Sequence, residues 1–499
     1  MKFNSVLLIL LLPLVCLSQR ISYSEPERED SRTLDFEIIG KVSGNFLVYK
    51  NLRSHYTVSI YDNDMGLKER ADLDFMPDKT LNTDFISYSD FAYIIYQYQK
   101  RNVLHCMAVK IDGNGKKIGE AVELDTTQIN IFSDNKIYNM VNSEDKQNIM
   151  IYKIQKKNEK LNFKTLLFNS QLQPQHTSRI QMSFDERKDV FSDFYLDNEG
   201  TFIFTKSLKG GNRELISKLS LLTKSPVSDQ FIENELPLKS YLDEVSVKVD
   251  NVNKRYLLNS FYYNQKRGNI DGLYTAIWDK PGHRLLVQNM AGFNDTMKRE
   301  AKNEGAARFA YNDFFIRNII LKKDGGFILA AEDFSSQSRS NPWNRLDYLY
   351  GYPYGSTYDY YMYPRSSYWY YYRPRSTNSL NRYYYNNIAV MNIDKDGKLV
   401  WSNVIRKEQY DDGDDNFLSY LIMNAGGELH FLFNELERRN QLLSDQSIAP
   451  DGRLTRNPTL KSLDRGYQFM PRFAKQVSAK QIIVPCVYRN YICFAKIDF

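Results

Sequence analysis

The residues best equipped for recognition chemistry are gathered in one stretch. Residues 346–386 read LDYLYGYPYGSTYDYYMYPRSSYWYYYRPRSTNSLNRYYYN, with a tyrosine density far above that of the rest of the chain. The cations in it, Arg365, Arg373, Arg375 and Arg382, are all arginine, and Pro353, Pro364 and Pro374 punctuate it. Tyrosine offers a large amphipathic ring with few rotatable bonds, and guanidinium stacks on such rings or grips carboxylate and phosphate in a fork. This is the chemistry of a contact surface. The candidate binding residues are Tyr354, Tyr358, Tyr360, Tyr361, Arg365, Tyr368, Trp369, Tyr370, Arg373 and Arg375. The same composition also suits a self-packed low-complexity loop, or a β-ribbon prolonging the strands on either side.

Two smaller groups could also carry chemistry. Asp411, Asp412, Asp414 and Asp415 surround Gly413. Their oxygens could hold calcium, but no calcium-loop spacing is matched, and a solvated turn or ion pairs with the arginines would use the same residues. Cys486 and Cys493 flank VYRNYI, which places them on opposed positions of a hairpin turning at Arg489-Asn490. A disulfide needs the close, non-hydrogen-bonded kind of pair that a four-residue loop gives; a two-residue loop leaves two buried thiols. Both outcomes are open. Cys106, alternating with Leu104 and Ala108, reads as a small core residue.

Catalytic signatures are missing from the sequence. It has no HExxH, no GxSxG elbow, no Walker loop and no GxGxxG after a strand. The five histidines, His55, His105, His176, His283 and His430, fall in separate segments without i, i+4 pairing. A carboxylate pair for glycoside hydrolysis could be assembled from distant segments, yet the 60 acidic residues nominate no pair. The chain leans away from an enzyme.

These residues must be positioned by strands. Residues 324–333 (DGGFILAAED) resume after an interruption as NIAVMNIDKDGKLVWSNVI at residues 387–405, and together they spell a four-stranded meander with Gly-Gly and Asp-Gly turns. Weaker copies recur along the chain at roughly 40–45 residues, the period of propeller blades. The predicted fold is an all-β propeller of about eight four-stranded blades, with seven as the alternative count, spanning residues 35–499. The last copy stops after three strands, so an N-terminal strand should complete it, with TLDFEII near Thr33 as the natural candidate. Residues 294–308 (NDTMKREAKNEGAAR) predict a short helix ending near Gly305, and residues 335–386 form the insertion. Strand reversal puts this helix, the insertion and the acidic linker of residues 407–416 on one face. The turns at residues 62–66, 112–115 and 394–397 lack EF-hand glutamate and glycine placement, so they read as turn chemistry.

Bulk properties narrow the partners. The 66 basic and 60 acidic residues are scattered in both signs, without the basic stripe that binding to nucleic acid requires. Lys2, the apolar run 6–15 and small residues at 16 and 18 read as a signal peptide over residues 1–18, followed by a polar lead-in over residues 19–34. Acylation at Cys16 is a lesser alternative, because Leu14-Val15 lacks the expected small residue. An exported protein without a mature transmembrane segment follows, whether periplasmic, cell-surface or secreted.

The pattern DGGFILAAE, Tyr-rich insertion, NNIAVMNIDKDGKLVW, DDG-containing linker and LHFLFNE resembles a family of exported bacterial β-propeller-like proteins of no established function. That resemblance implies the fold and the export, and carries over no active site. The functional expectation is a binding scaffold whose Tyr/Arg loop meets a protein or a cell-surface polymer. The alternatives are a carbohydrate-active or carbohydrate-binding site at the propeller axis, and self-association through the insertion.

Overall fold

A computed structural model describes residues 20–27, 34–129, 136–157, 160–185, 187–210, 214–302, 309–338, 343–350, 381–437, 440–458 and 466–499. Its strands follow the period-two pattern of the sequence. In Leu34–Val42, Leu34, Phe36 and Ile38 are buried while Asp35 and Glu37 are less so. Antiparallel pairing then builds short meanders, each entered from its innermost strand. Among the described residues the pairing gives seven sheets, and the ten-stranded one holds two successive meanders joined where Ile216 pairs with Leu242. The meanders span residues 34–72, 80–128, 138–183, 189–236, 241–292, 314–405, 420–456 and 467–498.

Both faces of each sheet are apolar, so every sheet must be covered twice. Separate hydrophobic clusters do this by joining each meander to the next: Val58 clusters with Val109, Leu219 with Leu258, Val390 with Phe431. The last cluster joins the eighth meander to the first, where Phe36 meets Phe494 edge-on at 5.4 Å. Sheets packed face to face in a closed ring make a β-propeller. Each fully buried Leu, Ile or Phe adds roughly 1.5–3 kcal/mol, so the inter-sheet clusters are the main cohesive term.

A strand from the N-terminal segment closes the ring, although not the one expected. Arg20–Tyr23 pairs with Tyr491–Asp498, in the register Arg20↔Asp498 to Tyr23↔Ala495. The TLDFEII run instead forms Leu34–Val42, the innermost strand of the first meander, paired with Asn45–Leu52. Its Leu34, Phe36, Ile38 and Ile39 are buried, as the inner position between two neighbouring sheets requires, whereas the residues of RISY are only partly buried or exposed. Glu27 then pins the segment: its carboxylate accepts from the Tyr61 hydroxyl at 2.5 Å and pairs with buried Lys50.

The Asp-Gly turns lock neighbouring meanders together. Asp112 Oδ1 accepts the backbone N–H of Asn114 and Lys116, and Asp394 Oδ1 does the same for Asp396 and Lys398, so these carboxylates serve as turn caps. Gly397 has φ +75°, and a Cβ there would stand 2.8 Å from Val287 Cγ1 on the preceding meander. Trp401 meets the next turn in the same way, with its ring against Gly452 and Nε1 donating to the Pro450 carbonyl at 3.3 Å.

The predicted helix forms at Asp295–Ala301, with the Asn294 side chain accepting from Met297 N as N-cap. It ends earlier than expected, at Lys302. Asn387 Nδ2 donates to the Ala301 carbonyl, and Arg406 to that of Lys302, which fixes the helix beside the insertion stem. The acidic linker joins them, since Gln409–Asp412 pairs with Arg382–Tyr385. The three connections therefore share one face, the insertion face below.

Candidate functional site

The insertion begins and ends as the ribbon that its composition allowed. Phe327–Ser338 and Asn381–Ile393 run on past the meander, paired from Phe334↔Tyr385 to Ser338↔Asn381. A second helix, Arg345–Tyr350, lies within the interruption; the sequence reading missed it beneath the tyrosine signal. Trp343, Tyr348 and Leu349 pack with Phe315, Phe334 and Tyr385. Trp343 Nε1 donates to Asp313 at 2.7 Å. The ten candidate contact residues from Tyr354 to Arg375 lie outside the described residues.

The helix does not stay over its own meander. Arg345 Nε donates to the Asp243 carboxylate at 2.8 Å, and its guanidinium lies 3.9 Å over the Phe315 ring. The Tyr350 hydroxyl donates to the Asp243 carbonyl, and Lys209 sits 4.7 Å over the Tyr350 ring. The start of the insertion is thereby fastened to the fourth and fifth meanders. Burial works against the charge on Arg345, but Asp243 and Tyr263 more than compensate and hold it protonated.

Beside this anchor lies a cavity of about 490 Å³ on the propeller axis. The innermost segments of five consecutive meanders line it, contributing among others Asp193, Glu244, Arg317, Tyr420 and Arg472. Asp193, Glu244 and Arg472 stand where the innermost segments are interrupted, between Asp189–Phe191 and Tyr195–Leu196, between Tyr241–Leu242 and Ser246–Asp250, and between Tyr467–Phe469 and Lys475–Ser478. Glu244 directly follows Asp243, to which the insertion helix is fastened. Its volume falls in the range of ligand pockets, about 300–1,000 Å³.

A buried ionic network forms the wall on the side of the sixth to eighth meanders. Lys407 and Glu332 pair at 2.8 Å with no side-chain exposure on either. Lys407 also donates to the Tyr385 carbonyl and Gln409 Oε1, each at 2.9 Å, and Ser419 Oγ donates to Glu332 at 2.7 Å. Arg317 Nε lies 3.9 Å from Glu332. Arg472 forks onto Asp415, which also accepts from the Tyr385 hydroxyl at 2.7 Å. Asp333, next along the strand, has its carboxyl pushed up to about 7, by burial first and then by Asp313.

The aspartates proposed for calcium divide their roles. Arg382 forks onto Asp412 through Nε at 2.6 Å and Nη2 at 2.9 Å, holding its carboxyl below the usual range. Asp415 belongs to Arg472, and Asp414 Oδ1 accepts Asn416 N. Asp411 is pushed up to about 6 by burial and then by Asp414. Among the described residues no group of His, Cys, Asp and Glu is placed to hold a metal ion. Cys486 and Cys493 are directly opposed, buried and without a disulfide, their sulfurs in hydrogen-bond contact at 2.9 Å, on a two-residue turn with Arg489 and Asn490 at positive φ. This is the loop length for which the sequence reading expected thiols.

The charged cavity residues Glu244, Lys248, Arg317 and Arg472 were not singled out from sequence. EVSVKVD carried a usable signal: Glu244, Ser246 and Lys248 line the cavity, joined by Val247, while the three valines Val245, Val247 and Val249 pack between sheets. No helix among the described residues is long and apolar enough to cross a membrane.

No protein-family model and no curated protein matches the chain. Solved structures do align. Prolyl endopeptidases align at 10% identity and TM-score 0.41 over 92% of this chain and 55% of theirs, so the chain spans about half their length. The β-propeller domain of the Trilobed protease from Pyrococcus furiosus aligns at 9% identity and TM-score 0.36, covering 85% of this chain and 94% of the other. A PL25 ulvan lyase aligns at 9% identity and TM-score 0.34, covering 82% and 90%.

Proposed function

We propose that the protein is an exported binding scaffold, an eight-bladed propeller when each meander is counted as a blade, whose partner meets the insertion face. The partner is a protein or a cell-surface polymer. One observation carries this reading. The helix that opens the Tyr/Arg insertion leaves the sixth meander and is fastened to Asp243 of the fifth, at the rim of the axial cavity. A merely tolerated loop has no need of a buried arginine to hold it beside a cavity.

Photo-cross-linking separates the two faces. Tyr410 is 60% exposed on the insertion face, and Val252 is 84% exposed in a turn on the opposite one. A photoreactive residue at 410 should give adducts with material from the cell envelope, and one at 252 should not. Equal adducts, or adducts at 252 alone, would reject the reading. A second reading, a carbohydrate-active site, draws on Asp193 and Glu244, carboxylates from adjacent meanders on the cavity wall. It requires cleavage of a glycan panel that is lost in both Asp193→Asn and Glu244→Gln.

A further inference from the structure

The stretch Glu244 to Lys248 gives the cavity a chemical direction. Glu244, Ser246 and Lys248 line it in succession, with Glu244 next to Asp243, where the insertion helix is fastened, and Lys248 further along the axis. At the rise of extended chain the two charged residues stand up to roughly 13 Å apart. Neither side chain makes a hydrogen bond or ion pair with a described residue, although Glu244 lies in the field of Arg345. By contrast, Arg317 and Arg472, across the cavity, are held by Glu332 and Asp415. Asp193 adds a second carboxylate on the side of the fourth and fifth meanders. One wall thus offers negative charge at the insertion end and an ammonium deeper in.

We infer that the axial cavity takes a short unblocked peptide, its free amine at Glu244 and its free carboxylate at Lys248. This rests on the reading of the insertion face as the binding face. An extended chain of about four residues spans the separation. The rest of the lining favours a peptide over a glycan. Ile316, Ile319, Leu421 and Ile422 supply apolar surface for side chains, whereas sugar hydroxyls would need many available polar partners. Two of the polar groups beside that apolar surface are already committed: Asn318 Oδ1 accepts from Tyr420 at 2.9 Å, and Ser419 donates to Glu332.

The test is calorimetric titration of the full chain with tetra-alanine in four forms: unblocked, N-acetylated, C-amidated and doubly blocked. A uronic acid tetrasaccharide serves as the glycan control. The unblocked peptide should bind, and each block should weaken it by about tenfold or more, since a charge-assisted contact is lost. Glu244→Gln should abolish the penalty of acetylation while keeping that of amidation, and Lys248→Met should do the reverse. Both variants should melt as the parent does. Indifference to the blocks, the same response in both variants, no binding of the unblocked peptide, or tighter binding of the tetrasaccharide would overturn the inference. Cross-linking at 410 does not depend on the peptide ends, so failure here is distinguishable from failure of the binding-face reading.

Discussion

Arg472, in the last meander, grips Asp415, in the linker before the seventh, through Nη1 at 2.8 Å and Nη2 at 3.1 Å. The Tyr385 hydroxyl donates to the same carboxylate, so one buried fork ties the insertion stem to the wall of the axial cavity. Removing one partner of such a pair leaves an uncompensated buried charge, at about 3–5 kcal/mol. Arg472→Met should lose stability in that range, and adding Asp415→Leu should recover much of it. Denaturant unfolding of the two single variants and the double variant measures the coupling. Simple additivity would mean that the fork contributes nothing.

The turn glycines make a second prediction. Gly397 combines φ +75° with a Cβ position 2.8 Å from Val287 Cγ1, whereas Gly426, at φ +61°, has nothing within 4 Å. Gly397→Ala should therefore cost roughly 1–3 kcal/mol more than Gly426→Ala, which carries backbone strain alone. Thermal melts of the two variants make the comparison; equal losses would mean that the turns do not lock neighbouring meanders.

This is also where the sequence was most legible. Period-two strands and Gly-Gly and Asp-Gly turns announced the repeat because turn chemistry and sheet packing are local. Closure by Arg20–Tyr23 was not legible in detail, since a four-residue edge strand carries little pattern and its register is set by a partner at the other end of the chain. The cavity was invisible for the same reason: Glu244, Arg317 and Arg472 meet only when the ring closes. Asp415 was noticed, but as one of an acidic run, because nothing nearby in sequence names Arg472 as its partner.

Closure itself can be tested through Glu27. Its carboxylate pairs with Lys50, and both side chains are 3% exposed. Glu27→Gln should cost about 3 kcal/mol or more by stranding the ammonium, and Glu27→Gln with Lys50→Met should cost less than Glu27→Gln alone. Hydrogen exchange should quicken in Tyr491–Asp498, the strand that Arg20–Tyr23 covers. Unchanged exchange there would mean that the N-terminal segment is not what closes the ring.

A pH dependence follows from Asp333, whose carboxyl is pushed up to about 7, chiefly by burial. The folded protein then keeps a proton that the unfolded chain releases near pH 4. The resulting stabilisation is complete below that point and is lost as pH rises to about 7. At about 1.4 kcal/mol for each tenfold change in proton affinity, the effect is bounded by a few kcal/mol. Asp333→Asn should flatten the decline in stability between about pH 4 and 7, measured by urea unfolding. An unchanged slope would assign the decline to other groups.

The most direct measurement is capture of envelope material by the intact protein and by a form lacking residues 351–380. The deletion stops there because Leu349 and Tyr385, on either side, are buried in the stem. If the insertion face is the binding face, capture should fall to background while the melting temperature stays within a few degrees of the parent. Equal capture by a shortened protein that melts normally would contradict the account and leave the insertion a passive loop.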